Sequence, residues 1–387
     1  MTNIREIRYS FVFTRCIVLQ NSSGLKDRQR QKRKSKMLFD HVCIESMVHV
    51  LPEEVVTSEQ IENRLSPVYD RLKLPYGRLE LFTGIKERRT CKPGTLPSDM
   101  ASQAGLMAIE KAGIEKQFIG CLINSSVCRD FLEPATASVV HEKVGLSAHV
   151  MIFDVSNACL GFLNAMVVVA NMIERRMINA ALVVAGENGR PLMESTIKYL
   201  LEDKALTRKG IKNSFASLTI GSGAAAAVLV HDSLSKRGHF LLGGGVLVES
   251  RYNHLCQGDL DGRDAGVGDT GKLLMNTDAE TLLNAGCALA KQTWEKTKSL
   301  LNVNNDDVKR FFCHQVGSIH RNLLFKTLEI PVEKDLATFP FLGNMGSVSL
   351  PVTLSIGAEQ GLMQKDDLVA LLGIGSGINC MMLGVRW

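Results

Sequence analysis

Several familiar catalytic signatures are missing from this 387-residue chain. It has no P-loop, no His-Glu-x-x-His, no Cys-x-x-Cys pair and no Gly-x-Ser-x-Gly elbow with its own triad. Those absences remove the motif evidence for phosphate cradles, zinc peptidases, dithiol centres and α/β-hydrolases. Long apolar runs are missing too. The longest, Ala158 to Ile173, is shorter than a membrane span and carries Asn164 and Asn171, so it reads as a core helix and no integral membrane segment is expected. Residues 11–19 are too short, and interrupted by Arg15, for a secretory h-region. The ten cysteines, at positions 16, 43, 91, 121, 128, 159, 256, 287, 313 and 380, include no pair at metal-ligand spacing. Several lie inside strand-like runs, which suits a reducing cytoplasm rather than a disulfide framework. No metal and no cofactor is expected.

Proline is scarce, with 10 residues against 33 glycines, and 45% of the chain is hydrophobic, the composition of a compact α/β protein. The net charge of +5 is misleading. Residues 1–36 hold ten Lys/Arg and two acids, which leaves residues 37–387 with 35 basic and 38 acidic groups. The main part is close to neutral, and no nucleic-acid partner is implied. Residues 1–36 are expected to be a disordered basic extension, or residues added by an upstream start codon before Met37.

From Met37 onward the pattern repeats. A helix near Met100–Ala112 leads to strand 119–124, and a helix near Ala279–Leu301 leads to strand 308–313. Each half then offers a turn, a helix (158–173 or 350–361) and another strand (180–186 or 368–373), so the paired strands start 61 and 60 residues apart. The halves are taken as 37–235 and 236–387. Near-continuous Val/Ile/Leu strands alternating with helices argue for sheets buried on both faces, hence layered α/β. The glycine clusters at 221–223, 243–245 and 373–377 are read as tight turns or close backbone approaches. Residues 194–217 are read as a polar helical surface excursion and 249–272 as a loop.

Cys159 stands at the break between a strand-like run, 150–155, and the apolar helix that follows. A cysteine at such a turn faces backbone N–H groups and the positive end of a helix dipole, both of which favour thiolate. If the two halves are pseudo-symmetric, corresponding strand ends converge. Glu133 follows strand 119–124, His314 follows strand 308–313, and the strand-to-helix turns present Cys159 and Asn344. These four are the candidate site.

The segments Ser156-Asn157-Ala158-Cys159-Leu160-Gly161-Phe162, Cys313-His314-Gln315-Val316, Gly343-Asn344-Met345-Gly346-Ser347-Val348-Ser349 and Gly373-Ile374-Gly375-Ser376-Gly377 resemble the β-ketoacyl-acyl-carrier-protein synthase III family of the thiolase superfamily. The segments Asn124–Val127 and Arg129–Pro134, with the ending from Leu371, look most like the OleA-type enzymes, which condense two fatty acyl-CoAs head to head in bacterial olefin biosynthesis. The resemblance implies a five-layer αβαβα thiolase fold and a cytoplasmic homodimer using long-chain acyl-CoAs, with hydrocarbon-pathway enzymes downstream. In this reading Cys159 takes the first acyl group by thioester exchange. Its N–H, and by resemblance that of Ser376, stabilise the oxyanion. His314 and Asn344 donate hydrogen bonds to the enolate. An acyl-CoA that loses no CO₂ needs a base for its α-proton, and Glu133 is the carboxylate available, by resemblance acting from the partner subunit. Pro134 biases Glu133 toward an extended backbone. Three alternatives stay open at the sequence level: a decarboxylating synthase III using a malonyl carrier, a hydroxymethylglutaryl-CoA synthase-like condensation, and a non-catalytic partner subunit.

Overall fold

Strands that are apolar along their whole length need cover on both faces. The chain supplies it with three layers of helix. The computed structural model describes residues 37–260 and 273–387; the basic extension and part of the expected 249–272 loop lie outside the described residues.

In order, the first half contains β1 (Met37–Leu38), β2 (Val42–Val50), β3 (Glu54–Thr57), α1 (Ser58–Arg64), α2 (Ser66–Leu72), α3 (Arg78–Thr83), β4 (Glu87–Thr90), α4 (Pro97–Ala112), β5 (Ile119–Asn124), α5 (Thr136–Val144), β6 (Met151–Asp154), α6 (Gly161–Glu174), β7 (Ala180–Glu187), α7 (Arg190–Glu202), α8 (Arg208–Leu218) and β8 (Gly223–His231). The remainder contains β9 (Phe240–Val248), β10 (Cys256–Leu260), β11 (Leu273–Thr277), α9 (Ala279–Leu301), β12 (Val308–Cys313), α10 (Ser318–Leu328), α11 (Phe339–Leu342), α12 (Ser349–Glu359), β13 (Leu368–Gly375) and β14 (Asn379–Arg386).

The main strands run in the order β12-β13-β14-β9-β2-β8-β7-β5-β6, with β1 added on β9. Pseudo-symmetry is visible in the pairing. β5 lies parallel to β6 and β7, and β7 is antiparallel to β8, which is antiparallel to β2. Likewise β12 is parallel to β13, β13 antiparallel to β14, and β14 antiparallel to β9. The counterpart of β6 shrinks to one parallel bridge, Phe311 with Asp335. The two arrays meet at a single register pair, Cys43 with Phe240.

Strand period then sorts residues between layers. Cys121, Ile123, Ala181, Val183 and Ala185 join Phe312, Val369, Leu371, Met381 and Leu383 in one core, which also holds Phe162, Met166, Val169 and Ile173 of α6 and Val352 and Leu354 of α12. The alternate residues Leu122, Leu182 and Val184 face α4 and α5, while Ala370, Leu372 and Met382 face α9 and α10. The result is helix, sheet, helix, sheet, helix: the αβαβα layering of the thiolase fold. Fully burying one large aliphatic side chain contributes roughly 1.5–3 kcal/mol, so the middle layer, α6 with α12, is the mechanical base on which both turns of the candidate site stand.

Two sequence expectations need correction. Residues 194–217 are not a plain surface excursion: Ile197, Leu200 and Ile211 are buried with Ile61, Leu65, Tyr69 and Leu79 of the α1–α3 lobe. Within 249–272, Cys256–Leu260 forms a strand paired with β11. Of the two readings of Gly243–Gly245, close backbone approach holds: they lie within β9, where β1 crowds Gly243, β14 crowds Gly244 and Thr297 of α9 crowds Gly245.

Candidate active site

Cys159 occupies a tight elbow. Ala158 before it is left-handed (φ 44°), a strained conformation for a residue with a Cβ. The turn closes through Leu160 N–H to Asn157 O (2.9 Å) and Gly161 N–H to Ala158 O (3.2 Å). Gly161 opens α6 where a Cβ would overlap the carbonyl oxygen of Ser125, so glycine is required for the β5 loop to lie against the elbow. On the other side, Asn157 Nδ2 donates to Asn379 Oδ1 (3.0 Å) and Asn379 Nδ2 donates to Ser376 O (2.9 Å). A Cβ on Gly375 would stand 3.6 Å from Cys159 N. The Ser376 turn therefore borders the Cys159 amide.

The thiolate expectation for Cys159 does not hold. Burial, with Cys256 and Glu187 nearby, pushes the thiol from an ordinary 9.0 up to about 12. The residue keeps some accessible surface, but the low-dielectric surroundings outweigh the helix start that follows it.

His314 ends β12, its N–H bonded to Leu372 O (3.1 Å). Its Nδ1 is buried without a partner among the described residues, and burial lowers its pKa to about 3, with His320 adding to the shift. His320 on α10 behaves alike, lowered to about 4, with an unpartnered Nδ1. Both imidazoles are neutral at pH 7, able to donate or accept a hydrogen bond without carrying charge. Next in sequence, Gln315 Oε1 accepts from Thr338 N–H (2.9 Å) and Phe339 N–H (3.2 Å), which binds the end of β12 to the segment leading into Asn344.

Asn344 is held at both backbone groups: its N–H donates to Thr219 O (2.9 Å) and its carbonyl accepts from Gly221 N–H (2.9 Å). Gly343 before it has φ 68°, and a Cβ there would press on Thr219 O and Arg88. The side-chain Oδ1 accepts from Gly346 N–H (3.0 Å) and the Ser349 hydroxyl (3.4 Å). That fixes the amide with Nδ2, its donor end, free of partners among the described residues.

Glu133 is placed differently. It is exposed on the loop between β5 and α5. The Glu133–Pro134 bond is cis. The loop is anchored at its far end, where Asp154 carboxylate oxygens accept from Thr136 N–H (2.9 Å) and Ala137 N–H (2.8 Å). Asp130 Oδ1 accepts from Ser98 N–H (2.9 Å). Its exposed neighbours Val127, Phe131 and Leu132 are apolar.

Glu187, at the end of β7, was missed by sequence reasoning. Its signal was a single acid closing an otherwise apolar strand. It is buried, its carboxyl pushed upward by burial, and it lies near enough to Cys159 to act on the thiol. Far from this site, His41, His231 and Asp232 bring potential metal-ligand atoms within 4.8 Å of one another, but both histidine Nδ1 atoms already contact Asp232.

Comparisons with known proteins agree with this geometry. Residues 153–243 match the model of 3-oxoacyl-[acyl-carrier-protein (ACP)] synthase III, and residues 299–387 match that of its C-terminal part. An acyl-CoA:acyl-CoA alkyltransferase of Shewanella oneidensis is 41% identical over 354 residues, covering 91% of this chain and 100% of the relative. The chain belongs to the synthase III family, in its OleA-type branch. A second OleA-type relative, from Xanthomonas campestris pv. campestris, is 39% identical over 351 residues, covering 91% of this chain and 100% of its own length. A solved structure of Xanthomonas campestris OleA with bound lauric acid and lauroyl-CoA superposes on this OleA-type chain with a TM-score of 0.85 at 38% identity, covering 90% of this chain and 100% of that one. Solved variants of that enzyme alter one cysteine, one glutamate and one histidine. Among the described residues, no helix is long and apolar enough to cross a membrane.

Proposed function

We propose that this chain is an acyltransferase that joins two fatty acyl-CoAs head to head without losing CO₂ before the carbon–carbon bond forms. One observation carries the reading. The Gly375 turn at the end of β13, the strand to which His314 is bonded through Leu372 O, would bring a Cβ to 3.6 Å from Cys159 N, and the Asn344 turn is tied through Ser347 to Glu187, whose charge reaches the Cys159 thiol, which supports a thiol, a neutral imidazole and an amide donor working together.

Cys159 exchanges its thiol proton for an acyl group, releasing CoA as its thiol. Because the resting thiol is protonated, that proton leaves as the sulfur attacks, with the neutral His314 as its acceptor in this reading. Glu133 then removes an α-proton from the second acyl-CoA, and His314 and Asn344 Nδ2 hold the enolate oxygen. The α-carbon attacks the acyl carbonyl on Cys159; the backbone N–H groups of Cys159 and Ser376 hold the oxyanion. The sulfur departs, taking back a proton, and leaves a 2-alkyl-3-ketoacyl thioester whose hydrolysis yields the β-keto acid. The sequence is redox-neutral and needs no cofactor beyond the acyl-CoAs.

The base works from a second copy of the chain in this reading. Supporting that, β6 ends the sheet with an unpaired edge, and Met151 on it, with Val127, Phe131 and Leu132, is exposed. A two-fold mate covering this edge would carry each Glu133 loop toward the opposite Cys159. Supporting the assignment itself, the varied glutamate of the Xanthomonas campestris enzyme precedes its varied cysteine by the same interval as Glu133 precedes Cys159. We place the reaction in the cytoplasm, with a consumer of β-keto acids next in sequence. The test is Glu133→Gln: mass spectrometry should find the acyl group on Cys159 at wild-type level, while condensation falls at least about 100-fold, the scale of general-base loss. A variant that condenses normally sinks the base assignment.

A further inference from the structure

One carboxylate touches segments from both halves of the candidate site. Glu187 Oε1 accepts from Val127 N–H (2.8 Å), from Ser347 N–H (3.3 Å) and from the Ser347 hydroxyl (2.5 Å); Oε2 accepts from Cys128 N–H (3.0 Å). Val127 and Cys128 begin the loop that carries Glu133. Ser347 lies in the turn that carries Asn344, and a Cβ on Gly346 would stand 3.4 Å from the Glu187 carboxyl carbon. Glu187 itself is buried, with 4% of its surface exposed. Three donors converge on Oε1 and one peptide N–H on Oε2, a set that favours the carboxylate form against the burial that raises its pKa. With Oε1 so engaged, Glu187 is suited to holding these segments rather than to abstracting a substrate proton.

We propose that Glu187 is a positioning residue: a buried carboxylate clamp that locks the Glu133 loop and the Asn344 turn into one fixed geometry, so that the base and the enolate-binding amide are set by a single group. This deepens, and rests on, the condensation reading given above. On that reading, one protomer's Glu187 holds its own Asn344 turn together with the loop that serves its mate. A carbon nucleophile tolerates little misplacement, and about 1 Å of error in a reacting group costs on the order of 100-fold. Acyl loading of Cys159 needs neither Glu133 nor Asn344, so the clamp acts on the second half-reaction, while the Glu187 charge, which raises the thiol's pKa, bears on the first.

Glu187→Gln turns one acceptor into a donor aimed at a peptide N–H, and Ser347→Ala removes one donor with little risk to folding. Two readouts are taken on each full-length variant. By hydrogen–deuterium exchange, the amides of Val127, Cys128 and Ser347 should exchange faster in Glu187→Gln, with α4 and α9 unchanged. With lauroyl-CoA, acyl loading of Cys159 should stay within about threefold of wild type in Ser347→Ala, which keeps the Glu187 charge beside the thiol, while condensation falls about 100-fold in Glu187→Gln and by a smaller factor in Ser347→Ala. Wild-type exchange at those amides, or loading and condensation falling in equal proportion, overturns the clamp. Should Glu187→Gln fail to fold, Ser347→Ala decides alone: exchange and condensation both at wild-type level refute the proposal. If the wild-type enzyme loads acyl groups but never condenses them, the condensation reading fails, and the exchange data still judge the clamp.

Discussion

A nucleophile that rests as a thiol has a measurable consequence. Cys159 sits among groups that lift its titration from an ordinary 9.0 to about 12. At pH 8 the thiolate fraction of such a group is smaller by about 900-fold, while its higher basicity returns roughly 20-fold in intrinsic nucleophilicity. Alkylation of Cys159 by iodoacetamide, followed by peptide mass spectrometry, should therefore run about 40-fold slower than that of an unperturbed cysteine peptide at pH 8. The logarithm of the rate should climb almost linearly through pH 10 without a plateau. The perturbation is pH alone, so no variant can confuse folding with reactivity. A plateau with a midpoint below about pH 8, the behaviour of a thiolate paired with imidazolium, would refute the claim that burial, Cys256 and Glu187 dominate the sulfur.

Two further outcomes follow from the same geometry. The histidines His314 and His320 are neutral when folded, at about 3 and about 4, against an ordinary 6.5. The unfolded chain binds their protons first, so stability should be level above pH 6.5 and fall below it by up to about 1.4 kcal/mol per pH unit for each histidine; urea unfolding at pH 7.5 and 5.5 checks this, and His320→Gln should shrink the difference. Gly161→Ala drives a Cβ into Ser125 O, an overpacking cost of about 1–3 kcal/mol, so thermal unfolding should shift downward and acyl loading should drop; unchanged loading contradicts the close packing at the elbow.

Much of the fold was legible because periodicity and burial agreed. α9 spans the expected Ala279–Leu301, where Asp278 caps the start and Asn302 turns left-handed at the end. The strands at 119–124 and 308–313 match, each containing a buried apolar run, Cys121–Ile123 and Phe311–Cys313. The glycines of β9 left two readings open because glycine marks close approach as readily as a turn, and the neighbouring elements show that close approach holds. Residues 194–217 misled because their buried residues, among them Ile197, Leu200 and Ile211, cover a lobe built by α1–α3 far away in sequence.

At the site, the order and flanks of Cys159, His314 and Asn344 were readable because each is mounted on a strand end or helix start that local pattern reveals. The state of the sulfur was not. A local argument from the helix start saw the favourable dipole and missed the burial and the neighbouring charge, both of which arise from residues distant in the chain. Glu187 stayed hidden for the same reason: its partners Val127, Cys128 and Ser347 are near only after folding.

The most direct test of the central claim uses one substrate. Lauroyl-CoA deuterated at carbon 2 is supplied to the purified wild-type protein with no malonyl donor, and free CoA and neutral lipid are followed by mass spectrometry. Non-decarboxylative condensation predicts CoA release, a long-chain ketone after spontaneous loss of CO₂ from the β-keto acid, and the loss of one α-deuterium to Glu133 in the bond-forming step. Acyl-enzyme that accumulates without ketone until a malonyl thioester is added would contradict it.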